Sequence, residues 1–321
     1  MRLQPNTLIV VVGPTASGKT ALAIDLAKAV NGEIVSADSM QIYRGVDIAT
    51  AKPTPEELAA VPHHLIGFVP VETPFSVADY AVLARATINE IMNRGKTPIL
   101  CGGTGLYVKA IIDNVQYSET IPSDELLRER LRLFAEQKGN DALWKRLEMI
   151  DPETARRIHP NNVGRVIRAI EVMEVSGRSI REHEADSRRE PCPYHVIEFG
   201  LRYQDREKLY QRINQRVDKM VEMGLPEEVK TAREKGLTAT AAQAIGCKEL
   251  YGWLDGDETL AEALERLKQS TRRYAKRQLT WFRRDERVNW LYIDDYEDYN
   301  SLIGQALTLV RNQLEIPADF K

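Results

Sequence analysis

Cysteine is scarce: Cys101, Cys192 and Cys247 lie far apart in 321 residues, with no C-x-x-C pair. That excludes a disulfide framework and a cysteine-held zinc or redox centre, and it fits a reducing compartment. Histidine is almost as rare. His63 and His64 are adjacent but lack a second ligand pair at metal spacing, so they read as packing or hydrogen-bonding residues. No apolar run approaches the roughly 20 residues of a membrane span. The first one, residues 8–12, is a strand's length and no secretory signal precedes it. A cytoplasmic protein without membrane attachment is the expectation. Surplus positive charge is also missing, since a net charge of −3 argues against a protein that coats nucleic acid everywhere. The distribution is less even than the sum. Between residues 270 and 288, Arg272, Arg273, Lys276, Arg277, Arg283, Arg284 and Arg287 face only Asp285 and Glu286. Such a run is more often a solvated helix face, but it is compatible with docking a polyanion at one place.

The apolar content, 43%, is ample for a sizeable core. Residues 7–12 are β-branched and apolar up to Gly13, the pattern of a buried parallel strand. Leu22, Ala23, Leu26, Ala27 and Val30 form a helical stripe over residues 20–30. Residues 33–36 and 97–101 read as further short strands, the first running to Asp38 and the second into Gly102-Gly103-Thr104-Gly105. Alternating strands and helices predict an α/β fold with a parallel, doubly wound sheet. Ligands then sit beyond the carboxyl ends of the strands, so the loops after these strands should meet. From Pro122 the character changes. Residues 124–137, 141–150, 152–158 and 162–175 look helical and charged, and 187–193 is turn-rich. Residues 195–201 alternate as a strand returning to the sheet, and helices follow over 206–223, 225–234 and 259–281. The expected organisation is a P-loop parallel-sheet core, residues 1–118 and 194–321, with an inserted all-helical domain over 119–193.

Gly13-Pro14-Thr15-Ala16-Ser17-Gly18-Lys19-Thr20 matches G-x-x-x-x-G-K-[ST] at every fixed position, between a strand and a helix. Glycines let the backbone curl so that amides point at phosphate oxygens, and the positive end of the following helix adds to that field. Lys19 supplies a mobile cation and the Thr20 hydroxyl is placed to ligate Mg²⁺. A P-loop ATPase would carry a Walker-B acid after an apolar strand. Here residues 98–101 lead into glycines with no carboxylate. The nearby acid is Asp38, followed by Ser39, Met40 and Gln41. It is either a base, toward a hydroxyl or another nucleophile, or a helix N-cap. From these residues alone, a small-metabolite kinase and an RNA-binding module with a vestigial nucleotide site both stay open.

Further segments narrow the choice. They are Asp38-Ser39-Met40-Gln41-Ile42-Tyr43-Arg44-Gly45, Thr50-Ala51-Lys52-Pro53, His63-His64-Leu65, Gly102-Gly103-Thr104-Gly105-Leu106-Tyr107, His159-Pro160-Asn161-Asn162 with Arg165 and Arg168, Gln243-Ala244-Ile245-Gly246 with Lys248-Glu249, and Arg273-Tyr274-Ala275-Lys276-Arg277-Gln278-Leu279-Thr280-Trp281. With the P-loop they resemble the successive motifs of the bacterial tRNA dimethylallyltransferases, from about residue 8 to about residue 284. Ala49 stands where glycine is expected and Cys247 where an aromatic is usual.

The resemblance implies transfer of a dimethylallyl group from its diphosphate to N6 of the adenosine 3′ of the anticodon. It implies Asp38 as general base, Thr104 near the reacting centre, and Arg216 (or Arg212, one turn before it) meeting the diphosphate with the P-loop and Mg²⁺ on Thr20. Contacts to tRNA are implied for Asp38, Ser39, Met40, Gln41 and Thr104, for Gly164, Arg165, Val166, Ile167 and Arg168, and for Gln243, Ala244, Ile245, Gly246, Cys247 and Lys248. The basic run with Lys276, Arg277 and Trp281 would grip backbone phosphates, and the protein would be a monomer. The target adenine would have to leave its stack to reach a pocket.

Overall fold

The structure is a computed structural model that describes residues 4–115, 123–187, 190–238 and 240–315. Its strands are β1 (Thr7–Val12), β2 (Gly32–Ser36), β3 (His63–His64), β4 (Thr97–Cys101), β5 (His195–Arg202) and β6 (Asn289–Tyr292). They form one sheet in the order β3-β2-β4-β1-β5-β6, every neighbouring pair parallel. β1 is buried along its whole length. Ile9 and Val11 feed one face, packed by the helices Lys19–Val30 and Tyr299–Glu315 through Leu22, Leu26, Leu302 and Val310. Leu8, Val10 and Val12 feed the other, packed by Val77–Asn93 and Gly105–Ile112 through Tyr80, Ile88, Val108 and Ile111. Two covered faces explain why β1 reads as a continuous apolar run rather than an alternation.

The register aligns the ends that matter. Cys101 of β4 lies opposite both Val11 of β1 and Ser36 of β2. Past the strands, the Gly102 amide donates to the Val11 carbonyl at 3.1 Å and the Ala37 amide to the Cys101 carbonyl at 2.8 Å. The loops carrying the P-loop, Asp38 and Thr104 therefore start abreast, as the sequence predicts for this fold.

The chain divides into two compact units, one of residues up to Ile112 together with those from Pro193, the other Asp113–Cys192. Helix is the only regular secondary structure among the described residues of the second: Glu125–Lys138, Asn140–Ile150, Pro152–Ala155, Val163–Ser176 and Ile180–Asp186. Leu131, Leu143, Leu147, Val166 and Ile170 fill its own core. The division begins earlier than the expected 118/119 junction, which lies outside the described residues. Asn114, left-handed at φ 47°, donates from Nδ2 to the Pro191 carbonyl at 2.9 Å and closes the base of this unit.

Several elements differ from expectation. β3 is only a two-residue bridge of histidines and β6 is four residues long. Neither is long enough to show a periodicity. The expected 152–158 helix ends at Ala155. Val77–Asn93 carries a visible start signal, Ser76 and Asp79 in a reciprocal capping box.

Candidate active site

A cavity of about 370 Å³ opens beyond the carboxyl ends of β1, β2 and β4. Thr15, Lys19, Thr20, Asp38 to Gln41 and Arg216 line it, with Ile34, Ile66, Ile213, Val217, Met220 and Leu267 giving it apolar walls. The P-loop is held in an unusual backbone path. Gly13 has φ 141°, and a Cβ there would stand 2.5 Å from the Leu201 carbonyl of β5. Gly18 at φ 88° and Ala16 at φ 63° complete the curl before the helix begins at Lys19. Lys19 Nζ donates to the Pro14 carbonyl at 2.7 Å. Burial pushes its ammonium down to about 8, the nearby Arg216 charge in the same direction, with Asp38 opposing. Ser17 Oγ is buried in the loop with no hydrogen-bond partner. A buried hydroxyl donor, a desolvated lysine and a helix N-terminus together suit an anion.

The two arginine candidates separate cleanly. Both sit on the helix Arg206–Glu222 and both touch the P-loop. Arg212 is exposed and donates from Nε to the Ala16 carbonyl at 3.1 Å, on the outside of the loop. Arg216 lines the cavity, its Nη1 3.3 Å from Thr15 Oγ1 and its Nη2 3.3 Å from the Ala51 carbonyl. Burial lowers its pKa and the Asp38 charge pulls it back.

No helix starts after Asp38, so it is not the helix N-cap that its sequence allows. Its Oδ1 accepts from the Met40 amide at 2.9 Å and caps the turn, while the residue lines the cavity. The Ser39 amide donates to Thr104 Oγ1 at 2.9 Å, and the Thr104 hydroxyl donates on to Ser39 Oγ at 3.2 Å. Thr104 thus braces the Asp38 turn and stands just behind the cavity wall. Its loop is squeezed: Cβ atoms at Gly102, Gly103 and Gly105 would lie 2.2 Å from the Ala37 carbonyl, 2.1 Å from Gln278 Nε2 and 2.2 Å from the Trp281 ring. Those glycines answer to packing.

Other expected contact residues divide by burial. Of residues 243–248, Gln243, Ile245 and Lys248 line the cavity, while Ala244 and Cys247 are buried in the core. In the helical unit, Gly164, Arg165 and Arg168 reach the surface, whereas Val166 and Ile167 belong to that unit's core. Helical periodicity forces this split. Lys276 is exposed, Arg277 lines the cavity with its guanidinium 5.7 Å from the Tyr274 ring, and Trp281 is 38% exposed.

Sequence reasoning missed the braces. Glu228 accepts from the Asp47, Ile48 and Ala49 amides at 2.7, 2.9 and 2.8 Å, fixing the turn that leads to Ala51. Gln278 bonds the Thr15 amide and the Gly103 carbonyl. Both act on partners far along the chain, so neither leaves a local signal.

Among the described residues no group of three or more His, Cys, Asp or Glu could hold a metal by itself. Mg²⁺ keeps several waters and takes only one or two protein oxygens when substrate phosphates complete its shell. Thr20, on the cavity wall at the first turn of the helix, fits that mode.

The model of the IPP transferase family matches residues 41–285. The chain belongs to this family. It is 47% identical to a tRNA dimethylallyltransferase of Geobacillus thermodenitrificans, covering 98% of this chain and 99% of that one. It is 46% identical to the Bacillus subtilis enzyme of the same name, covering 96% and 98%. The structure resembles the tRNA isopentenylpyrophosphate transferase of Bacillus halodurans, at TM-score 0.72 and 46% identity over 97% of each chain. It also resembles a eukaryotic dimethylallyltransferase acting on tRNA, at TM-score 0.80 and 28% identity over 96% of this chain and 79% of that one. No helix among the described residues is long and apolar enough to cross a membrane.

Proposed function

We propose that the chain transfers the dimethylallyl group of dimethylallyl diphosphate to N6 of the adenosine 3′ of the tRNA anticodon, releasing diphosphate. The observation that carries the mechanism is that one cavity holds a P-loop, with Lys19 and Arg216, beside the carboxylate of Asp38. N6 attacks the first carbon of the prenyl group, the carbon–oxygen bond breaks toward diphosphate, and the N6 proton passes to Asp38. An exocyclic amine is a weak nucleophile, and a positioned base contributes roughly 10²–10⁴-fold. Charge growing on the leaving diphosphate is met by the P-loop amides, Lys19 and Arg216, already in place. A Mg²⁺ held by Thr20 and the diphosphate would add positive charge there. Thr104, bonded to Ser39, braces the Asp38 turn from behind the cavity wall, and its part in the reaction is to hold that turn in place.

The surface residues Arg165 and Arg168 of the helical unit, and Gln243, Lys248, Lys276, Arg277 and Trp281, are assigned to the RNA. The apolar walls at Ile34, Ile66, Val217 and Met220 suit the prenyl tail. The test is incubation with Mg²⁺, dimethylallyl diphosphate and an anticodon stem-loop carrying the target adenosine. The reading expects one five-carbon group on that base by mass spectrometry. Turnover of ATP without RNA alkylation would replace this reading with a small-molecule kinase.

A further inference from the structure

We infer that Gln278 is a positioning residue for the transfer, an amide strut that sets the spacing between the phosphate cradle and the loop bearing Thr104. Its Oε1 accepts from the Thr15 amide at 2.8 Å and its Nε2 donates to the Gly103 carbonyl at 3.0 Å. The two partners belong to the loops after β1 and β4, and Gln278 bonds to both. Gln278 is 5% exposed and rides on the long helix Leu260–Phe282, whose buried side fixes its height. Buried amides are normally hydrogen-bonded, and a fully satisfied buried network rigidifies the segments it joins. Gly103 has no room for a Cβ, because Nε2 occupies that place. One turn earlier on the same helix, Tyr274 also lines the cavity, and burial raises the pKa of its phenol. The strut therefore spans from the residue that contacts Arg216, Thr15, to the loop that braces the Asp38 turn.

A displacement of about 1 Å between reacting groups costs on the order of 10²-fold in rate. Gln278 reaches the cavity wall, but both ends of its amide are bonded to the two loops, so its loss should appear mainly in kcat. This inference rests on the transfer reading, and wild-type transfer to the stem-loop is the control. Its absence overturns both.

With transfer present, Gln278→Met keeps the volume and removes both bonds. We expect kcat to fall by about 10–100-fold, with KM for dimethylallyl diphosphate and for RNA changing less than about threefold. Gly103→Ala, which pushes on the same bond from the other side, should give the same split, and its combination with Gln278→Met should cost no more than either alone. Gln278→Glu is the conservative rescue. Protonated, its carboxyl has one donor and one acceptor like the amide, and burial raises the pKa of such a group, in documented cases to about 8–9. Its kcat relative to wild type at the same pH should therefore climb as pH falls, while that of Gln278→Met stays flat. A Gln278→Met enzyme with kcat within twofold of wild type overturns the inference. So does a loss that falls equally on kcat and both KM values, or a Gln278→Glu ratio that ignores pH.

Discussion

At the end of the cavity proposed for the diphosphate, the groups come from one run of chain, residues 13–20, shaped by its own backbone and joined by Arg216. At the end proposed for the acceptor, Asp38 and Thr104 come from loops after different strands and meet through the register of β2 and β4. The first end is a local structure that could form around an anion wherever the motif lies between a strand and a helix. The second exists only when the sheet is assembled. Substitutions at the diphosphate end should therefore change binding and leaving-group chemistry, and those at the acceptor end should change the chemical step while leaving the diphosphate bound.

The largest effect expected is at Asp38. Asp38→Asn keeps the cap on the Met40 amide but loses the base, so kcat should fall by about 10²–10⁴-fold while calorimetry still detects diphosphate binding. Loss of diphosphate affinity instead would merge the two ends. Next comes the arginine pair. Arg216→Ala should lower kcat/KM by about 10²–10³-fold, and Arg212→Ala, on the outer side of the loop, by less than about tenfold. Equal losses in steady-state assays would contradict the separation seen in the structure.

Smaller effects belong to the braces. Glu228→Gln replaces one acceptor oxygen with a donor facing backbone amides, and should cost about 1–3 kcal/mol in denaturant unfolding. Glu33 offers a control at the opposite end of β2. Burial alone would raise its carboxyl, but Lys96, His64 and Arg94 bond it and bring it down to about 2. A depressed carboxyl stabilises the fold above its ordinary value of 4.5 and loses that contribution as pH falls toward 2. Glu33→Gln should therefore be less stable at neutral pH by about 1–3 kcal/mol, lose less than wild type between pH 4.5 and 2, and keep its kcat. A stability gap that persists at pH 2 would contradict the linkage.

The same contrast explains what the sequence reveals. β1, the P-loop and the helix behind it are legible because spacing, glycines and apolar stripe all lie within residues 7–30. Asp38 is visible as an acid ending a strand, but its partnership with Thr104 needs the strand register. The helical unit is legible as helices, yet a motif of consecutive residues such as 164–168 does not say which side chains turn inward. The fold buries Val166 and Ile167 and leaves Arg165 and Arg168 at the surface. Glu228 and Gln278 stay hidden because their partners lie 179–181 and 175–263 residues away.

Which anion the P-loop prefers is the central matter, and thermal unfolding with Mg²⁺ in the presence of dimethylallyl diphosphate or ATP measures it directly. A ligand at 100 times its Kd stabilises a fold by about 2.7 kcal/mol, a shift of a few degrees in Tm. Clear protection by the prenyl diphosphate, with little from ATP at equal concentration, is the predicted result. The reverse order would contradict the account.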